Sequence, residues 1–264
     1  MTNHAILPKL IFDYLPLSLQ RVSKSIFQDT HFSVALLPLT SIKQPASEHI
    51  QKWLHKEERI QLASFRFEKR YREWLGGRIC AKQSLRITLR SKKKTSFIPD
   101  HAQVSIQSKE NGKPYFPAMN SVQLTFPELS ISHSKGYAAA LTCHSPCGID
   151  IQFSAENLLK VQERFCSSEE DQLVQQELPL LSILSRLTLL WSAKEAAKKM
   201  LSPDGIPGFH ELQLLRLTPQ NKTDSIFFFS FSKTGSIIPV AAGMMGNDYA
   251  LALCCTRKPP AGVL

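Results

Sequence analysis

No run of about eighteen uncharged apolar residues occurs in the 264-residue chain, which argues against a membrane-spanning helix. The first residues, MTNHAILPKLIFDYLPLSL, lack a basic start, an unbroken apolar stretch and a small-residue cleavage site. They do not read as a secretory signal, and the cytoplasm is the expected location. The six cysteines form no CxxC pair and no repeated metal spacing. CHSPC (143–147) offers Cys143, His144 and Cys147 as half of a metal clip without a second half, so six reduced, mostly buried thiols are expected. No GxxxxGK[ST], GxGxxG or GxSxG is present, which argues against an ordinary kinase, dehydrogenase or serine hydrolase. The basic residues are not interleaved with aromatics and match no nucleic-acid module.

What is present is a chain with a real core, 43% apolar, and a net charge of +10 placed on one side. Residues 1–145 hold 21 Lys+Arg against 10 Asp+Glu, and residues 146–264 hold 11 against 12. A basic half beside a neutral half suggests a polyanionic ligand or an acidic partner. The length suits one large domain or two lobes.

The patterning reads as α+β. HFSVALLPL (31–39) predicts a strand. The spacing of Ile50, Leu54 and Ile60 or Leu62 predicts a helix over 47–65, and Trp74, Ile79, Leu85 and Leu89 another over 70–89. SKKKTS (91–96) reads as a basic loop. From 103 the period changes to two, with Asn111-Gly112 as a hairpin signal and strands expected at 121–126, 129–134, 135–143 and 147–153. Helices are expected over 157–165 and 168–200, then strands at 209–217, 225–232, 237–245 and 249–255. WLGGRICAK (74–82) and WSAKEAAKK (191–199) both open on Trp and close on Lys, with Arg78 and Glu195 at the fifth position. Their spacing of 117 residues suggests duplicated lobes.

Four short stretches carry possible chemistry. On a helix, Trp191, Glu195 and Lys199 share a stripe, with Lys194 and Lys198 beside it; taken alone this is also an ordinary exposed Glu–Lys face. GIDIQ (148–152) places Asp150 in an apolar strand, as a half-exposed surface acid, a buried partner to a cation, or a ligand. NGKPYF (111–116) is a hairpin that delivers Lys113. SISHS (130–134) contains Ser132 and His133, which face opposite ways on a strand and so form no catalytic dyad. Together, an Asp and a Glu on different elements can hold one Mg²⁺, with lysines and a histidine to neutralise phosphates.

The order GKPYF, ISHS-GY, GIDI, WSAKEAAKK, preceded by the basic segment RFEKRYREWLGGR, resembles the Sfp-type 4′-phosphopantetheinyl transferases over roughly residues 65–200. The resemblance implies two similar, pseudo-twofold-related α+β lobes, each a small antiparallel sheet with helices. The expected division is a basic lobe at 1–144 and a metal-bearing lobe at 145–264. It implies transfer of the phosphopantetheine arm of coenzyme A to a serine of an apo carrier protein, with release of adenosine 3′,5′-bisphosphate. By match, Asp150 and Glu195 would be Mg²⁺ ligands, with Glu195 also helping to remove the serine proton. Lys199 would sit on the pyrophosphate. Lys113 with Pro114, Ser132, His133 and one of Arg66 or Arg70 would meet the nucleotide phosphates. Gln152 stands where many such proteins carry a third acid, so two carboxylates are expected to hold the metal, with Gln152 at most assisting. An acidic acyl or peptidyl carrier protein is the expected partner, and a monomer the expected state; neither a membrane nor nucleic acid is an expected partner. The alternatives are a catalytically weak member that only binds coenzyme A or a carrier protein, or a basic nucleic-acid-binding protein.

Overall fold

A computed structural model describes residues 12–13, 15–28, 30–42, 47–91, 98–119, 125–202 and 206–256. In the first half, α1 (Leu17–Ile26) precedes β1 (Phe32–Pro38), α2 (Glu48–Gln51), α3 (Lys56–Ala63) and the long α4 (Glu68–Ser91). A short hairpin of β2 (Gln107–Ser108) and β3 (Pro114–Tyr115) follows, then β4 (Glu128–Ser134) and β5 (Tyr137–Cys143). The second half runs β6 (Cys147–Phe153), α5 (Asn157–Lys160), α6 (Ser168–Glu177), α7 (Ile183–Leu201), β7 (Leu212–Pro219), β8 (Asp224–Phe231), β9 (Ile237–Met245) and β10 (Tyr249–Cys255). The strands form sheets of order β1-β5-β4 and β6-β10-β9-β8-β7, with every pairing antiparallel. The architecture is mixed α+β, as the patterning predicts.

Three expected helices are broken: the one read over 157–165 is reduced to α5 and a separate 3-10 turn at Gln162–Arg164, and the other two break for local reasons. The helix read over 47–65 splits into α2 and α3, because Glu58, buried at the third position of α3, accepts the backbone N–H of His55 at 2.9 Å and starts a new helix there. The helix read over 168–200 stops at Glu177; Pro179 disfavours helical geometry at Leu178, and Ser182 caps α7 by accepting the N–H of Ser185 at 3.1 Å. Most of the basic loop and of the strand expected at 121–126 lie outside the described residues.

Alternation along the strands sorts side chains between three cores. Ala138 and Ala140 of β5 join the core under α4, whereas Ala139 and Leu141 face a shared core with α1 and with Ile149, Ile151, Leu251 and Leu253 of the second sheet. Core residues of α7 pack on the opposite face of the second sheet, with Ala250, Ala252 and Cys254. The sheets also meet edge to edge. Ser130, Ser132 and Ser134 of β4 accept the N–H groups of Ile149, Ile151 and Phe153 of β6 at 3.1, 3.2 and 2.9 Å. The period-two serines of SISHS thus satisfy an edge strand that would otherwise present open N–H groups.

The halves repeat one another, at a spacing different from the one the tryptophans suggest. YAAALTC and YALALCC are β5 and β10, and Tyr137 and Tyr249 lie 112 residues apart. β5 pairs with β1 along its length as β10 pairs with β6. Lys82 of α4 and Lys194 of α7, also 112 apart, each bind a buried glutamate. The alignment of Lys82 with Lys199 at spacing 117 is therefore five residues off. Both segments are lysine-bearing helices, and a Trp-to-Lys string fits them in more than one register.

Candidate functional site

Gly148 sets the position of everything that follows. A β-carbon there would lie 1.9 Å from the carbonyl oxygen of Ala196 and 2.8 Å from the amide nitrogen of Met200. The backbone of α7 rests directly on β6 at this residue, a contact that only glycine permits. Two positions on, Asp150 is buried, with 5% of its surface exposed, rather than lying on an open strand face. Its Oδ1 accepts Ser132 Oγ at 2.8 Å and Lys199 Nζ at 2.7 Å, and Lys199 also donates to the carbonyl of Ile149 at 3.0 Å. Asp150 Oδ2 is buried without a hydrogen-bond partner among the described residues. A buried carboxylate oxygen left open is costly unless a cation or donor reaches it.

The five residues of KEAAK have four different environments. Lys194 is fully buried; its Nζ donates to the carbonyl of Phe165 at 2.7 Å and to Glu170 at 2.8 Å. Burial pushes its pKa below the ordinary lysine value, and Glu170 opposes that fall. It is a strut inside the second half of the chain, paired with Glu170. Glu195 is partly buried and pairs with Lys198, one turn on, at 2.9 Å, rather than with Lys199. Ala196 and Ala197 are packed in the core. Lys198 also lies over the ring of Phe209, 3.7 Å from its centroid.

Glu195, Lys198 and Lys199 line a cleft of about 240 Å³ whose opposite wall includes Lys113, Pro114 and Ser130. The hairpin brings that wall in. Gly112, at φ +81°, closes the turn, Asn111 Oδ1 accepts the N–H of Lys113 at 3.0 Å, and Asn111 Nδ2 donates to the carbonyl of Ser202 at 2.8 Å, just past α7. Lys113 is buried and its Nζ pairs with Glu128 at 2.7 Å. Its charge is therefore shared with an acid of β4 before any phosphate arrives.

His133 points the other way from Ser132. Its Nδ1 lies 3.7 Å from Glu73 of α4, a mostly buried acid also 3.9 Å from Lys69. Burial pushes the imidazole below its ordinary pKa of 6.5; Glu73 opposes this, while Lys199, Arg70 and Lys69 add to it. His133 is accordingly neutral near pH 7, in the same neighbourhood as Arg70 and Lys199. Arg70 is exposed in the first turn of α4, and Arg66 is exposed in the loop before it. Gln152, on the same face of β6 as Asp150, is half-buried, and its amide donates to the carbonyl of Phe153 at 3.1 Å. Sequence reasoning gave no place in the cleft to Lys198 or Ser130 and no role to Glu73. The doubled lysine at 198–199 and the serine two before Ser132 were the available signals.

Among the described residues no three His, Cys, Asp or Glu side chains gather as a metal-ligand set. The residues that could hold a cation are Asp150, through its open Oδ2, and Glu195 on the cleft wall. Two carboxylates suit a hard cation that completes its shell with water and phosphate oxygens. No helix among the described residues is long and apolar enough to cross a membrane.

Comparison with known families adds a match over residues 146–254 to the model of the 4′-phosphopantetheinyl transferase superfamily. The matched segment runs from just before β6 into β10 and contains Asp150, Glu195 and Lys199. Among curated proteins no relative matches the chain. The match supports a transferase of this general kind.

Proposed function

We propose that the protein is an Sfp-type, Mg²⁺-dependent enzyme that transfers the 4′-phosphopantetheine group of coenzyme A to a serine of an apo carrier protein. The observation that carries this reading is Asp150: buried, held on one oxygen by Ser132 and Lys199, open on the other, and inside the segment that matches the family. The division into lobes 1–144 and 145–264, the monomeric state and the cytoplasmic location belong to the same proposal.

Asp150 and Glu195 would hold the cation, which would supply charge neutralisation on the pyrophosphate. Glu195, in the cleft, takes the proton of the carrier serine as its oxygen attacks the phosphorus that bears the pantetheine arm. The bond from that phosphorus to the bridging oxygen breaks, and adenosine 3′,5′-bisphosphate leaves. Lys199 stabilises the negative charge that develops on the leaving phosphate. Neutral His133 donates a hydrogen bond to a nucleotide phosphate beside Arg70, and Arg66 extends the basic approach. Lys113, shared with Glu128, and Pro114 form the far wall. The basic first half steers an acidic carrier protein toward the cleft.

The test is to incubate the protein with coenzyme A, Mg²⁺ and an apo carrier protein and to weigh the carrier. A gain of the phosphopantetheine mass is expected. Glu195→Ala should lower the rate by about a thousandfold, the scale of a lost catalytic base. A carrier of unchanged mass across a panel of acidic carriers would overturn the reading.

A further inference from the structure

Each carboxylate assigned to the cation carries a lysine of its own. Lys199 Nζ is 2.7 Å from Asp150 Oδ1, and Lys198 Nζ is 2.9 Å from Glu195 Oε1. The two lysines are consecutive residues of α7, and both line the cleft. Consecutive helical residues point about 100° apart, so the two ammonium groups serve two acids instead of competing for one. Lys198 is held more tightly than a surface lysine: its side chain is 12% exposed, and the ring of Phe209 lies 3.7 Å away. Glu195 is therefore not a free carboxylate awaiting a cation.

This pairing has a thermodynamic consequence. A divalent cation that binds Glu195 must first displace the Lys198 ammonium, and then stands close to it as a like charge. A diphosphate in the cleft provides the displaced ammonium with a new anionic partner. The exchange is matched only when both ligands bind, since the carboxylates then face the cation and the lysines face phosphate oxygens. Lysine suits this task, because its ammonium is a point charge on a flexible four-carbon stem with no fixed hydrogen-bonding plane.

We propose that Lys198 is a positioning residue that couples the two ligands: it masks Glu195 against the divalent cation alone and passes to a phosphate oxygen when the diphosphate of coenzyme A enters. The proposal rests on the functional reading above and adds to it a residue and a linkage. By reciprocity, the factor by which coenzyme A tightens the cation equals the factor by which the cation tightens coenzyme A.

Mn²⁺ titrated into the full-length protein, followed by the electron paramagnetic resonance signal of the free ion, reads this directly. The titration is run alone and with saturating coenzyme A. In Lys198→Met, Mn²⁺ alone should bind about threefold to tenfold more tightly than in the unsubstituted protein, the range expected for loss of a partly buried competing ion pair. The tightening by coenzyme A should shrink by a similar factor. Lys198→Gln should repeat the result, so that it does not depend on one variant folding, and Lys198→Arg should retain the original coupling. Equal Mn²⁺ affinity in the unsubstituted protein and both neutral variants, with coenzyme A still bound, would overturn the role of Lys198 and leave the transferase reading standing. Failure of the unsubstituted protein to bind coenzyme A at any Mn²⁺ concentration would overturn both.

Discussion

In the first half, Lys82 of α4 is buried against Glu58 and donates to the carbonyl of Trp53 at 2.8 Å. Glu58 in turn accepts the N–H of His55 at the start of α3 and the N–H of Ile106 at 3.1 Å. In the second half, Lys194 of α7 binds Glu170 and the carbonyl of Phe165, while Glu170 accepts the N–H of Ser167 at 2.9 Å and that of Leu214 at 2.8 Å. The two arrangements agree group by group. Each uses one lysine and one glutamate to lock a short helix, the long helix and a strand or its approach, Leu214 within β7 and Ile106 just before β2. The site does not repeat. Asp150 stands opposite Ala252, and the matching place in the first sheet, opposite Ala140, is Ala35. At the same spacing of 112, Glu195 and Lys199 correspond to Gln83 and Ile87. The repeated part of the molecule is its scaffold, while the residues proposed for the site stand in the second half without counterparts in the first.

The sharpest way to break this comparison is to remove each clamp. Lys82→Met and Lys194→Met each leave a buried glutamate without its cation, and each should cost about 3–5 kcal/mol in urea unfolding. The pairs Lys82→Met/Glu58→Leu and Lys194→Met/Glu170→Leu should recover part of that loss, because both charges go together. The pairs will not recover all of it, since the N–H groups held by each glutamate lose their acceptor. A large cost in one half and none in the other would show that the clamps are alike only in geometry.

A smaller effect separates the halves. Gly148 accepts the backbone of α7, whereas its counterpart in the first half, Ser33, accepts the Ser84 hydroxyl on its carbonyl at 2.6 Å and tolerates a side chain. Gly148→Ala should therefore cost about 3 kcal/mol, as overpacking against backbone that cannot yield. Ser33→Ala should cost under about 1 kcal/mol. Thermal or urea unfolding of the two variants checks this, and equal costs would mean that α7 can move off β6.

Much of this arrangement was legible in the chain, and the illegible part has a common cause. Asp150, Glu195 and Lys199 each lie in a distinctive short string, and period-two spacing places Ser132, on Asp150, and His133, near Glu73, on opposite faces. The turn at Asn111-Gly112 followed from local conformational preference. Lys194 and Lys198, by contrast, look equivalent in WSAKEAAKK. One is buried only because Glu170, 24 residues earlier, comes back across the fold, and the other reaches the cleft because Phe209 does. The break before α3 was hidden similarly, since Glu58 reads as a surface acid until Lys82 covers it. Gly148 looks in the sequence like any strand residue, and its role as the seat of a helix depends on a partner almost fifty residues away. Short-range physics is written in the string; pairings at long sequence separation are not.

The smallest expected effect again sets one half against the other, this time through acid. Each clamp is roofed by a ring: His101 stacks on Trp53 with centroids 3.7 Å apart, and Phe209 packs against Phe165 at 6.0 Å. Only the first ring titrates. Burial pushes the His101 pKa down from 6.5 to about 4; Arg86, Lys82 and Arg90 assist, and Asp100 opposes. With the folded value below the unfolded one, the unfolded chain binds the extra proton first, so stability is full above about pH 6.5 and falls as the pH drops toward 4. The ring is only partly buried, so after screening the loss should be about 1–2 kcal/mol. His101→Phe makes the first roof like the second and should flatten that part of the pH–stability curve, measured by urea unfolding from pH 7.5 to 4. An unchanged slope would place the acid-sensitive group elsewhere, with His133 the next to substitute, since burial also holds its pKa below 6.5.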